Sequence, residues 1–179
     1  EELNHIELPD GKITSIPFLG EHGDLNVRAR NAYLITLKGK SMLVAADLCN
    51  LESALYERIR EFYGSVDMLF LGLECNGAPF GWIYGPCLID SVSRQFDQER
   101  RLNGSNYERA LAFVKALDCK EVYTYAMGME PWLGHILAIA YTSDSVQVVE
   151  SNKLIAACHK AGIPAERPFG KREWLIEQS

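Results

Sequence analysis

The stretch from Ser41 to Glu74 constrains the fold more than any other part of this chain. Two runs, "SMLVAAD" (41–47) and "VDMLFLGLE" (66–74), are apolar at nearly every consecutive position. A strand with one wet face alternates apolar and polar residues, so strands of this composition are buried on both faces. Between them Asn50 is placed to cap a helix over 51–63, whose Leu51, Leu55, Ile59 and Phe62 share one face. The first run is also the second arm of a hairpin over 31–48, turning at Lys38-Gly39-Lys40.

The same alternation extends in both directions. "KITSIPF" (12–18) reads as a strand that stops at Gly20 to Gly23, and "KEVYTYAMG" (120–128) as another buried strand. Ser105 with Glu108 forms a capping box, opening a helix with Tyr107, Ala110, Leu111, Val114 and Leu117 inward. Pro131 suits the first turn of a short helix, Leu133 to Tyr141. Ser151 is placed to cap a last helix that Gly162 closes, with Leu154, Ile155 and Cys158 on its buried stripe. The tail after Pro164 reads as peripheral. From 75 to 103 no period holds, and Gly, Pro, Trp and Tyr are frequent; loops of that length in compact domains are usually functional or mobile. The expected architecture is a single α/β domain over 1–179, a layered β-sheet with flanking helices.

Composition excludes several classes. The net charge of −6, with scattered basic residues, leaves no concentrated positive patch for nucleic acid. No apolar run approaches the roughly 20 residues that span a bilayer. Five cysteines, odd in number and without a CxxC pair, fit thiols in a reducing cytoplasm better than a disulfide framework. There is no GxGxxG after a strand, no Walker loop and no GxSxG elbow.

The chemistry collects at strand ends. In "IPFLGEHGDL" (16–25) a strand runs into Gly20 and then presents Glu21, His22 and Asp24. Asp47 ends one apolar run, where a charge is costly to bury unless paired or metal-bound, and Glu74 repeats the arrangement. Glu130 follows the 120–128 strand, and its bland reading is a helix N-terminal charge before Pro131. In α/β sheets ligand groups sit on the loops leaving strand ends. Histidine plus carboxylate is a usual set for zinc, iron or manganese. Trp82, Tyr84 and Trp132 are the candidate walls of a substrate pocket. Cys75 beside Glu74 has no histidine placed to activate it and reads as structural. His5 and Glu7, one strand step apart, are a weaker ligand pair near a terminus, and His135 and His159 fall within helices.

The run "NAYLITLKGKSMLVAADLCNLESALYERIREFYGSVDMLFLGLE", with "GEHGDL" before it, resembles the C-terminal half of the metallo-β-lactamase αβ/βα sandwich. It is similar to bacterial, often cyanobacterial, members that share "GAPFGWIYGP", "RRLNGSN", "YAMGMEPW" and "ESNKLIAAC". In that superfamily a strand pair leads to an apolar strand ending in a metal-bridging Asp, which maps to Asp47; a preceding metal histidine maps to His22. The resemblance therefore implies two divalent transition-metal ions, with Asp47 bridging them and His22 holding one. The main superfamily motif, HxHxDH, belongs to the first half of the fold and does not occur here. The last metal histidine is replaced by "MGMEPW", and Glu130 in its place favours iron or manganese.

The resemblance implies a metal-dependent hydrolase acting on a small ester, lactone, amide or phosphodiester. One alternative is a di-iron redox or oxygenase-type protein of the same fold; another is a non-catalytic binding module with an incomplete site. The expected partners are a small-molecule substrate and either a second copy or an N-terminal half of the same fold, which would cover an apolar sheet face.

Overall fold

In the computed structural model, residues 3–17, 31–46, 52–73, 85, 88–95, 104–125 and 141–177 are described. They form a seven-stranded mixed sheet whose spatial order is the chain order, β1-β2-β3-β4-β5-β6-β7. The strands are β1 (His5–Leu8), β2 (Gly11–Pro17), β3 (Asn31–Leu37), β4 (Lys40–Ala45), β5 (Met68–Gly72), β6 (Glu121–Tyr125) and β7 (Ala165–Glu166). Neighbours from β1 to β4 pair antiparallel, and those from β4 to β7 pair parallel. The parallel half needs crossovers. They contain α1 (Ser53–Tyr63), α2 (Tyr107–Ala116) and α3 (Val146–Lys160).

The three helices cover one face of the sheet, α1 packing on α2 and α2 on α3. Alternation along the strands sends Ile16, Ala32, Leu34, Leu43, Leu69, Leu71 and Val122 to that face, where they meet Tyr56, Ile59, Phe113, Val114, Leu117, Leu154 and Cys158. Tyr56 and Phe113 meet edge to face, 4.5 Å between ring centroids. The opposite sheet face is also apolar. Tyr33, Ile35, Met42 and Val44 lie on it between half-buried and exposed, and Phe70 and Tyr123 lie under Trp174.

At the start of the parallel pair, a polar knot fixes the register of β4 against β5. The Ser41 backbone N–H donates to Asp67 Oδ2 at 2.8 Å, and the Asp67 N–H donates back to Ser41 Oγ at 3.0 Å. The Ser41 hydroxyl faces Asp67 Oδ2 and the Ser65 carbonyl, each at 3.1 Å.

Several local expectations change. β1 is a paired edge strand, and His5 Nε2 sits 3.0 Å from Glu7 Oε1, the two side chains satisfying one another. Glu52 caps α1, accepting from the Ala54 N–H at 3.0 Å. The buried stripe of α1 centres on Tyr56 and Ile59 because Phe113 of α2 meets it there, leaving Phe62 80 % exposed. Asn106 caps α2, its Oδ1 accepting from the Arg109 N–H at 3.0 Å; Ser105, expected in that role, is fully buried one residue earlier. Helix α3 begins at Val146 after Ser145, so Ser151 lies inside the helix and faces the sheet rather than capping it. The tail is not peripheral: Ala165 and Glu166 add a parallel strand, and Trp174 returns over the second face. Tyr141, expected at a helix end, is not helical; the rest of that expected helix lies outside the described residues.

Candidate metal centre

Strand direction brings the strand ends that precede the expected donors to a single sheet edge. β2 runs with β4, because each pairs antiparallel with β3, and β4, β5 and β6 are mutually parallel. Their ends are level: Ile16 pairs Ala32, Ala45 pairs Leu71, and Leu71 pairs Thr124. The four strands thus release the chain at Pro17, Ala45, Gly72 and Tyr125 along the same edge. A helix that crosses between parallel strands runs against them, so α1, α2 and α3 begin at that edge too. Their N-terminal dipoles favour negative charge there.

Gly72 sets how closely two of those ends approach. Its N–H donates to the Ala46 carbonyl at 2.8 Å, and a Cβ on residue 72 would stand 2.0 Å from that same oxygen. Any side chain would push the end of β4 from the end of β5. Glycine within an apolar strand is the sequence signal of such an approach. At β6 the buried Thr124 Oγ1 lies 3.0 Å from Ser151 Oγ on α3, and Arg167 Nη1 donates to Ser151 Oγ at 3.2 Å. The first turn of α2 is tied down by Glu150, whose Oε2 accepts from the Tyr107 N–H at 2.9 Å. The hydrogen bond from Lys153, with help from that N–H, holds the Glu150 carboxyl below its ordinary value.

The residues singled out in the sequence, His22, Asp47, Glu74, Glu130, Trp82, Tyr84 and Trp132, lie outside the described residues, as does most of the 75–103 loop. Their anchors are described. Asp47 follows Ala46 directly, and Glu74 is two residues beyond Gly72, on strands one step of about 4.8 Å apart. His22 stands five residues past Pro17, on a strand about 10 Å from β4. Five residues reach up to about 17 Å. Glu130 likewise stands five residues past Tyr125, one strand from β5. All four donors are therefore within chain reach of the β4–β5 ends. Among the described residues no group of three or more His, Cys, Asp or Glu is gathered to hold a metal. Cys119 and Cys158 are free and buried, and burial pushes both thiols up, which keeps them unreactive. No described helix is long and apolar enough to cross a membrane.

No protein-family model matches the chain. A 4-amino-L-phenylalanyl-(CmlP-peptidyl-carrier-protein) 3-hydroxylase of Streptomyces venezuelae is 41% identical over 167 residues, covering 93% of this chain and 31% of the hydroxylase. The crystal structure of CmlA, a diiron β-hydroxylase from the same organism, matches with a TM-score of 0.79 at 41% identity, over 93% of this chain and 32% of that one. Igni18, a metallo hydrolase from Ignicoccus hospitalis, matches with a TM-score of 0.55 at 16% identity, over 94% of this chain and 55% of that one.

The chain has the fold of part of a metallo-β-lactamase-type protein. It spans roughly a third of the hydroxylase, 31% of its length, and corresponds to the C-terminal part of CmlA. The mixed sheet with helices on one face is the half-sandwich expected from the sequence.

Proposed function

We propose that this chain provides one sheet edge of a di-iron oxygenase that hydroxylates the β-carbon of an aminoacyl group carried on a peptidyl carrier protein. The observation that carries this reading is the 41% identity to a carrier-protein-dependent 3-hydroxylase across 93% of the chain. The hydrolase expectation gives way, because its support is a metallo hydrolase at 16% identity, a likeness of fold alone. A small-molecule substrate gives way in the same manner to a carrier-bound one.

The donor set agrees with iron. One imidazole, His22, and three carboxylates, Asp47, Glu74 and Glu130, make an oxygen-rich group, whereas zinc favours nitrogen and sulfur. In this reading Asp47 and Glu74, which follow the neighbouring strands β4 and β5, are the central donors, and His22 and Glu130, which follow β2 and β6, complete the set. A bound pair of iron ions supplies the activation of dioxygen for insertion into a C–H bond. The protein's part in this reading is to keep the strand ends that precede the carboxylates level, to which the Gly72 contact and the Thr124–Ser151 pair contribute. This reading assigns Trp82, Tyr84 and Trp132 to the walls of the substrate pocket.

The test is metal analysis and Mössbauer spectroscopy of the iron-loaded protein, followed by mass spectrometry of an aminoacyl carrier protein after reduction and exposure to air. The expected result is bound iron and a gain of one oxygen on the carrier-bound amino acid, both lost in Asp47→Ala. Tightly bound zinc with ester or phosphodiester hydrolysis would overturn the reading and restore the hydrolase.

A further inference from the structure

Four aromatic rings on the second sheet face run in unbroken contact from the proposed metal edge to the C-terminal segment. Tyr125 is the last residue of β6, level with the strand ends, and its ring lies 6.5 Å from that of Phe70. Phe70 stacks on Tyr123 at 5.2 Å, and Trp174 lies 5.0 Å from Tyr123 and 5.1 Å from Phe70. Tyr125 and Tyr123 are two residues apart on one strand and share its second face, and the Phe70 ring of β5 touches both. The Tyr123 hydroxyl donates to Glu121 Oε2 at 2.7 Å. Trp174 is only partly covered, in a tail segment that otherwise faces solvent.

Simple packing needs apolar bulk here, and Leu or Ile would supply it. What the cluster adds is two phenols and an indole, the side chains that yield one electron to a strong oxidant, linked ring to ring through Phe70 and with a proton acceptor already bonded to the central phenol. Electron transfer falls steeply with distance, so contact between successive rings is the requirement for a path. We propose that Tyr125, Tyr123 and Trp174 form an electron relay that discharges oxidising equivalents from the metal edge to the protein surface when dioxygen is activated without substrate.

This inference rests on the di-iron reading of the site. The electron balance is explicit. Tyr125 would give one electron to a strong one-electron oxidant generated from dioxygen at that edge and its phenol proton to water; it then recovers an electron from Tyr123 across the Phe70 ring and a proton from water. As the Tyr123 phenol loses its electron, its proton passes to the Glu121 carboxylate. Trp174 then reduces the tyrosyl radical, the proton returns from Glu121, and a soluble thiol at the surface reduces the indole radical cation. Because only a strong oxidant removes an electron from tyrosine or tryptophan, the relay protects the site and does not deliver electrons to the resting centre.

The test separates the relay from the metal. The metal-free full chain is photo-oxidised with tris(bipyridine)ruthenium and persulfate, frozen, and followed by electron paramagnetic resonance, with ring-deuterated tryptophan to assign the signal. The wild type is expected to give a tryptophanyl radical, Trp174→Phe a longer-lived tyrosyl radical, and Trp174→Phe with Tyr123→Phe a radical yield several-fold lower. A double variant with the wild-type spectrum and yield overturns the relay, whether or not the protein binds iron. In the iron-loaded protein, turnover without substrate should leave oxidised Trp174 in peptide maps. A protein that hydroxylates its substrate yet keeps Trp174 unmodified under those conditions overturns the relay and leaves the proposed function standing. A protein that binds no iron overturns the proposed function and, with it, the relay's oxidant, even where the photochemical test shows the ring-to-ring electron path.

Discussion

Replacing Gly72 by alanine probes the point where fold and proposed site meet. The added Cβ would stand 2.0 Å from the Ala46 carbonyl oxygen, against about 3.3 Å for the closest comfortable carbon–oxygen contact. The β4 end must therefore withdraw by about 1.3 Å. The obstacle is backbone, not the far end of a flexible side chain, so nothing swings aside cheaply. Two costs add. Overpacking of a close-packed site costs about 1–3 kcal/mol. The Gly72 N–H to Ala46 bond, 2.8 Å in the native chain, is stretched or lost for about 1 kcal/mol more. The expected destabilisation is thus about 2–4 kcal/mol, read in urea unfolding as a midpoint lowered by roughly 1–2 M. Because Asp47 follows Ala46 and Glu74 lies two residues past Gly72, iron content should fall further than stability alone explains. A variant within about 0.5 kcal/mol of wild type, with full iron content, would refute the claim that this contact spaces the two carboxylates.

Other perturbations test the scaffold. Ser41→Ala removes the hydroxyl that accepts from the Asp67 N–H, and should cost about 1–3 kcal/mol in chemical denaturation while leaving the metal edge, at the other end of the strands, unaffected. Phe113→Ala empties the space against Tyr56 between α1 and α2, for an expected loss of about 3–5 kcal/mol by thermal or urea unfolding. Glu150 has a depressed carboxyl in the folded chain, so the stability it contributes is present above the ordinary glutamate value of 4.5 and is lost as pH falls through the lower folded value. Glu150→Gln should therefore flatten the fall in stability below pH 4.5, and a pH–stability profile parallel to wild type there would contradict that assignment.

The fold class was legible in the sequence because burial on both faces leaves a plain mark. Leu43 and Val44, or Leu69 and Phe70, are apolar on consecutive positions, and only a strand covered on both sides tolerates that. Strands β2 to β6 and the three described helices follow from such patterns together with the 3.6-residue period of α1 and α2. Element ends were less legible. Asn106 and Ser145 took the capping roles assigned to Ser105 and Ser151, since several hydroxyl or amide side chains compete and tertiary contacts choose among them. β7 and the Trp174 contact left no mark, because a two-residue strand has no period and the partners of Trp174 lie 51 and 104 residues away at Tyr123 and Phe70.

For the proposed site, residue chemistry came from the sequence and the alignment of the strand ends that precede those residues from the tertiary structure. A histidine and three carboxylates just past four apolar strands are the metal donor set proposed from residue type and position alone. That those strands run in one direction, end in register and stand within chain reach of one another is a property of hydrogen-bonded pairing between segments tens of residues apart. The spacing of the central pair depends on the missing side chain of Gly72, whose significance appears only once the Ala46 carbonyl stands against it. Local sequence determines which groups are available; long-range packing decides which of them meet.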